Sequence, residues 1–283
     1  MARVFEFDKL NFLTAGMPST TSAKGSYKEA FEILKSMDLD GMELEFVHGV
    51  RMNDATRQLV NEIRERDNFI LTCHCPFYIN LNSPEVEKVE ASVNRIIETA
   101  RAAKDTGAFS ITYHAAFYMG KDKETVFEQV KKCNKLIEKA LRDENIDLWV
   151  RPETTGKATQ WGDLDEVIRL SKEFDLVLPC IDFSHLHARS GGEFNTYDEF
   201  SQIFEKIGNE LGDKALKSFH AHLAGIQYTA KGERCHLNFA DADMNYKDLL
   251  KVFKEFDVKG AITCESPNIE VDAKILKEYY LSL

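Results

Sequence analysis

The stretch from Phe69 to His114, FILTCHCPFYINLNSPEVEKVEASVNRIIETARAAKDTGAFSITYH, holds a complete strand–helix–strand unit. It begins with a short apolar run of strand type, Phe69 to His74. From Pro84 to Lys104 the apolar residues Val86, Val89, Val93, Ile96, Ile97 and Ala100 recur three or four apart, the spacing of one buried helical face. Ser83 stands where an N-cap belongs, Pro84 suits a first helical turn, and Gly107 lies just past the end. Ser110 to His114 then reads as a second strand, and both strands finish on a histidine.

The same alternation extends in both directions. Strand-like runs occur at Phe12 to Gly16, Gly41 to Phe46, Leu148 to Glu153, Val177 to Asp182, Ser218 to Leu223 and Gly260 to Glu265, which brings the number to eight. Helical stretches lie near Tyr27 to Met37, Glu124 to Leu141, Leu164 to Phe174, Tyr197 to Leu211, Tyr246 to Phe256 and Val271 to Tyr280. No linker or low-complexity segment interrupts them. An α/β fold built as a (β/α)8 TIM barrel, one domain over residues 1–283, is therefore expected. The competing doubly wound open sheet rarely uses eight parallel strands in this length.

With 43% hydrophobic and 29% charged residues, the chain can bury a sizeable core and is not a disordered tail. No apolar run approaches the roughly 18 residues of a membrane span, and MARVFEFDKL lacks an export signal's apolar segment. A soluble, cytoplasmic protein without a membrane partner is expected. Nothing resembles a dimerisation helix, so a monomer is expected too. Thirty-six basic residues against 47 acidic ones give a net charge of −11, so a polyanion would have to be held locally or through bound cations. The six cysteines are scattered apart from Cys73-His74-Cys75, and no second close pair completes a four-thiolate zinc site.

In such a barrel the strand C-termini face one mouth. His74 and His114 close the third and fourth strands, His185 and His187 follow the sixth, His220 and His222 sit on the seventh, and His236 lies in the loop after it. His48 follows the second strand, and no histidine is expected inside a helix. Glu153, Asp182 and Glu265 end three further strands. Imidazoles and carboxylates around one rim form a mixed N/O ligand set that suits zinc, with manganese or iron also possible. The set exceeds what one ion needs, and bridging carboxylates can hold two ions about 4 Å apart. Glu153, Asp182, Glu233 and Glu265 bring four negative charges, which three divalent ions would exceed.

The strings HCPFYINL (His74 to Leu81), TYHAAF (Thr112 to Phe117), RPETTGK (Arg151 to Lys157), CIDFSHLHAR (Cys180 to Arg189), HAHLAG (His220 to Gly225), GERCHL (Gly232 to Leu237) and CESPN (Cys264 to Asn268) run in order over roughly two thirds of the chain. Together they resemble the endonuclease IV family of zinc-dependent apurinic/apyrimidinic endonucleases, more closely its archaeal homologues, within the xylose-isomerase-like barrel group. The resemblance implies two or three zinc ions. His74 and His114 would bind one ion, which Glu153 bridges to a second held by Asp182, His222 and Glu265. His185 would bind a third with Glu233 and His236. The bacterial loop spaces its acid and histidine by one residue, whereas this one reads Glu233-Arg234-Cys235-His236, so Cys235 is the alternative ligand. His220 either supports a ligand from behind or is a core histidine.

The implied reaction is hydrolysis of the phosphodiester 5′ to an abasic site in double-stranded DNA, a step of base excision repair, by a metal-activated hydroxide, leaving a 3′-hydroxyl. Glu265 or Glu153 would orient the nucleophile. Phe77, Asn80, Arg51, His187 and Arg189 are the candidate substrate contacts, with His48 beside Arg51 and Phe77 either a wedge that replaces lost base stacking or part of the core. The alternative activity on the same barrel is a metal-dependent sugar or sugar-phosphate isomerase or epimerase holding one ion. A metal-stabilised scaffold is the non-enzymatic alternative.

Overall fold

Eight parallel strands form the central sheet of the computed structural model, which describes residues 5, 7–22 and 25–283. They are β1 (Leu10–Ala15), β2 (Gly41–Glu45), β3 (Ile70–His74), β4 (Ser110–Tyr113), β5 (Trp149–Pro152), β6 (Ile181–Asp182), β7 (Phe219–Leu223) and β8 (Gly260–Cys264). The hydrogen-bonded order is β5-β4-β3-β2-β1-β8-β7-β6. Isolated parallel bridges, Val150 to Val177 and Glu153 to Cys180, join the two ends and close the barrel. The expected sixth strand over Val177 to Asp182 thus shrinks to two paired residues plus these bridges, because Pro179 within it has no N–H to donate to a ladder.

The helices are α1 (Tyr27–Ser36), α2 (Asp54–Asp67), α3 (Val86–Thr106), α4 (Lys123–Asp143), α5 (Leu164–Ser171), α6 (Phe183–Ser190), α7 (Tyr197–Leu211), α8 (Asp213–Lys217), α9 (Tyr246–Glu255) and α10 (Glu270–Ser282). Four departures from the sequence reading mark the helices and the connection after β7. Only Val60 and Ile63 of α2 are buried, so its apolar face is too narrow to stand out as a period. The N-cap of α3 is Glu85, without a side-chain cap bond, and Ser83 Oγ instead accepts from Glu85 N at 3.3 Å. His185 and His187 do lie in a helix. Asp182 ends β6 and caps α6 at once, its Oδ1 accepting from His185 N at 2.7 Å, so no loop separates strand from helix. The stretch after β7 is a hairpin, Gly225–Thr229 paired with Gly232–Leu237, rather than a loop. No helix among the described residues is long and apolar enough to cross a membrane.

The apolar core sits between sheet and helices. Phe183, Phe200, Phe204, Phe219 and Phe253 are buried there with ring centroids 4.9 to 6.5 Å apart, and each contributes about 1.5–3 kcal/mol by leaving water. The interior of the barrel is different. Glu43, Thr72, Ser110, Arg151 and His220 are all buried inside it, where branched aliphatic side chains usually form the packed layers.

Gly260 opens β8 at φ +127°, and a Cβ added there would stand 2.1 Å from Phe219 O. Gly260→Ala is expected to lower stability by at least about 2 kcal/mol, read as a lower urea midpoint at unchanged slope. A midpoint equal to that of the native chain would show that the β7–β8 seam tolerates a side chain.

Candidate metal centre

Parallel pairing puts the strand ends at one height, and period-two alternation turns every second side chain inward. His74 pairs across with Glu45, and Asp182 with His222. His114, Glu153 and Glu265 each follow the last residue of their strand. The result is a ring of donors around Glu153, which is 1% exposed. Its Oε1 lies 3.0 Å from His114 Nε2, 3.3 Å from His185 Nδ1 and 3.5 Å from His222 Nδ1. Its Oε2 lies 3.3 Å from His74 Nε2.

Donor atoms fall within 4.8 Å of one another in overlapping groups: His74, His114 and Glu153; Glu153, Asp182 and His222; Glu43, His222 and Glu265; Asp182, His185 and His236; and Cys180, His220 and His222. Backbone carbonyls aim two of the rings. Nδ1 of His74 meets Cys75 O at 2.7 Å and leaves Nε2 toward Glu153. Nδ1 of His185 meets Thr154 O at 3.0 Å and leaves Nε2 3.6 Å from Glu233 Oε2.

The hairpin answers the spacing question raised by Glu233-Arg234-Cys235-His236. Cys235 pairs with Gln227 and Glu233 with Tyr228, so Arg234 is an extra, bulged residue. A bulge shifts the alternation by one, which places Glu233 and His236 on the same face, toward His185. His236 Nε2 stands 3.9 Å from Glu265 Oε2. Cys235 is exposed, its Sγ 3.5 Å from Gln227 Oε1.

Two acids escaped the sequence reading. Glu43 is fully buried, and Glu45 is directed into the same interior. Their signal was the alternation in Gly41-Met-Glu-Leu-Glu, which equally fits a strand with one wet face. With them, six carboxylates share the mouth. Burial pushes Glu45 up to about 8, with His74 opposing and Glu43 and Glu265 adding to the rise. Burial likewise lifts Asp182 to about 6 against the pull of His185. Burial alone would lower the imidazoles, but the surrounding carboxylates override it and raise His74 and His185 to about 10.

Asp182 Oδ2, both ring nitrogens of His222, His236 Nε2, Glu43 Oε1 and Glu45 Oε1 are buried without an aligned hydrogen-bond partner. A buried polar atom left this way costs about 1–3 kcal/mol. Those that face the cleft, Asp182 Oδ2, His222 Nδ1, His236 Nε2 and Glu45 Oε1, are N or O donors that fit divalent cations of the zinc or manganese type, while Glu43 Oε1 and His222 Nε2 face each other at 2.9 Å beneath it.

The other candidates divide into two groups. Phe77 is 62% exposed at the rim, with its ring 5.6 Å from that of His48 and 5.0 Å from that of Tyr78, so it is not core. Arg51, His48 and Glu45 line a cavity of about 360 Å³ beside the cleft. The remainder brace loops. Asn80 Oδ1 accepts from Asn82 N and Phe117 N. His187 is buried between Glu193 O at 2.8 Å and Asp243 Oδ1 at 3.1 Å. Arg189 Nη1 donates to Thr155 Oγ1, Lys157 O and Gln160 O.

The sequence model of the xylose isomerase-like TIM barrel family matches residues 31–279. An uncharacterized protein of Methanocaldococcus jannaschii is 43% identical over 97% of this chain and 98% of its own length. Apurinic-apyrimidinic endonuclease 1 of Saccharomyces cerevisiae is 24% identical over 52% of this chain and 40% of its own, so that match spans well under half of the relative. Among solved structures, endonuclease IV from Thermus thermophilus superposes with a TM-score of 0.72 at 16% identity, covering 97% of this chain and 100% of that one. A D-tagatose 3-epimerase-like protein reaches the same TM-score at 17% identity, covering 91% and 94%. The fold is common to both kinds of protein.

At pH 7 the raised imidazoles hold protons that an incoming cation must displace. Zinc titrated into the metal-free chain is therefore expected to release at least about one proton per chain and to bind about tenfold more tightly per pH unit for each proton displaced. Calorimetry in two buffers of different ionisation enthalpy reads this. Equal heats in the two buffers would show that the cluster takes its cations without giving up protons.

Proposed function

The chain belongs to the xylose isomerase-like TIM barrel family, and within it we propose that it is a zinc-dependent phosphodiesterase that cuts DNA 5′ to abasic sites, resembling endonuclease IV. The observation that carries this reading is the bulged hairpin. It brings Glu233 and His236 to His185 as a third donor group, beyond the donors a single-ion enzyme needs. His74, His114 and Glu153 would hold one ion, Glu153, Asp182, His222 and Glu265 a second, and His185, Glu233 and His236 a third. Such ions supply Lewis acidity toward a phosphoryl oxygen and make water more acidic.

The residues do the rest. Glu153 keeps the first two donor groups in contact through one carboxylate. Glu265 stands between the second and third groups, with Oε1 3.3 Å from His222 Nδ1, and is placed to accept the proton of the attacking water. Phe77 and Tyr78 offer ring faces at the rim that replace stacking lost when a nucleotide leaves the helix. Arg51 and His48 face the flanking phosphates. The oxygen of water bonds to phosphorus as the P–O bond to the 3′ oxygen breaks; Glu265 takes one proton of that water, and the departing oxygen takes up a proton from Glu265 or solvent to leave as the 3′-hydroxyl.

The acidic surface and the short Phe46-Val47-His48-Gly49-Val50-Arg51 loop, with Arg51 and His48 as its phosphate partners, favour a second reading: a sugar or sugar-phosphate epimerase with one ion.

Metal-replete chain is expected to nick a duplex carrying one abasic site and to leave the undamaged duplex intact. Glu265→Gln should slow nicking by ~100-fold or more, the scale of a lost proton acceptor. Elemental analysis should return two or three zinc ions per chain. Absence of nicking with metals replete removes the proposal, and one manganese per chain favours the epimerase.

A further inference from the structure

Below the metal cleft a file of buried polar side chains runs down the barrel. Glu43 Oε1 lies 2.9 Å from His222 Nε2, and Oε2 lies 3.0 Å from His220 Nε2 and accepts from Thr72 Oγ1 at 2.7 Å. Nδ1 of His220 is 3.1 Å from Ser110 Oγ, which accepts from Arg151 Nε at 2.8 Å. Arg151 ends the file with bonds to Pro179 O and Ser218 O. Every member is at most 1% exposed.

Packing does not explain this file. Burying a carboxylate or a guanidinium costs several kcal/mol each, and apolar replacements of similar volume are often neutral or stabilising. What the file does reach is His222, whose ring stands between two sets of acids. Nε2 faces Glu43 from below, while Nδ1 faces Glu265 Oε1 at 3.3 Å and Glu153 Oε1 at 3.5 Å. We propose that Glu43 and His220 are positioning residues for metal binding: Glu43 draws the proton of His222 to Nε2 and leaves Nδ1 bare toward the cleft, and His220 keeps the Glu43 carboxylate from turning away.

The geometry supports selection by charge. Neither imidazole meets Glu43 along the axis of an aligned hydrogen bond, yet both rings lie within ion-pair distance of its two oxygens. Thr72 fixes Oε2 from a third direction, and the Arg151 guanidinium, linked through Ser110 and His220, supplies a buried positive charge on the same file. A carboxylate behind a metal-binding imidazole sets its tautomer and raises its basicity. The inference rests on the reading of His222 as a metal ligand, not on the choice of DNA as substrate.

Three measurements test it: zinc affinity by chelator competition, melting temperature, and the long-range proton–nitrogen NMR spectrum of the zinc-loaded chain. The native chain is expected to show His222 protonated on Nε2 and bare on Nδ1. Glu43→Gln is expected to weaken zinc about 10–100-fold while the melting temperature stays or rises. His220→Leu is expected to weaken zinc by a smaller factor, and it carries the test together with the native spectrum if Glu43→Gln fails to fold. A native His222 protonated on Nδ1, or native zinc affinity in folded Glu43→Gln, overturns the inference. A chain that takes up no zinc overturns it and the metal reading together. A chain that binds zinc but leaves abasic DNA uncut overturns only the proposed substrate.

Discussion

The molecule is organised around a carboxylate that cannot be left alone. Glu153 is withdrawn from water at the end of β5, a placement costing several kcal/mol unless opposite charge surrounds it. His74 and His185, raised to about 10 by the surrounding carboxylates despite burial, supply that charge at 3.3 Å, and the rings of His114 and His222 complete the surround at 3.0 and 3.5 Å. They meet there only because the strands end at one level, so barrel register and donor geometry are a single constraint. A one-residue slip in any strand would turn its donor to the outside. Asp182 shows how tightly fold and site are joined. One of its oxygens starts α6 by capping it, and the other stays in the cleft without an aligned partner.

Most of the barrel was legible because its signals are local. The α3 face reads from Val89 to Ala100, although Val86, expected on it, is 67% exposed in the first turn, and the strand-end residues His74, His114, Glu153, Asp182 and Glu265 read from where apolar runs stop. The rest needed the third dimension. An acid inside a short strand, such as Glu43, looks the same whether its face meets water or the barrel axis. The bulge at Arg234 follows from cross-strand pairing, and no spacing rule along one strand distinguishes Glu233 with His236 from Cys235. Likewise, α6 begins with no break after β6, so His185 and His187 read as loop residues.

The charge balance of the surface does not decide the substrate. A net charge of −11 weakens long-range attraction for a polyanion, but several of the acids behind that figure lie in the cleft, where bound cations would cancel them. Contact with a phosphate chain then depends on the rim. Exposed Phe77, Tyr78, Phe117 and Met119 stand on the loops after β3 and β4, while Arg189 and His187 are engaged in holding loops.

Stability and function are partitioned between two layers. A barrel packed with aliphatic side chains along its axis would be stable on its own account, but it could not carry Glu43, His220 and Arg151 beneath the cleft. Here that axial volume is polar, and the apolar burial that offsets its cost lies outside the sheet, where Phe183, Phe204, Phe219 and Phe253 pack between strands and helices. Phe219 and His220 are neighbours on β7 and point to opposite faces, one into each layer. The alternation of a single strand therefore joins the part of the molecule that holds it folded to the part that holds its donors, and a substitution on one face need not disturb the other.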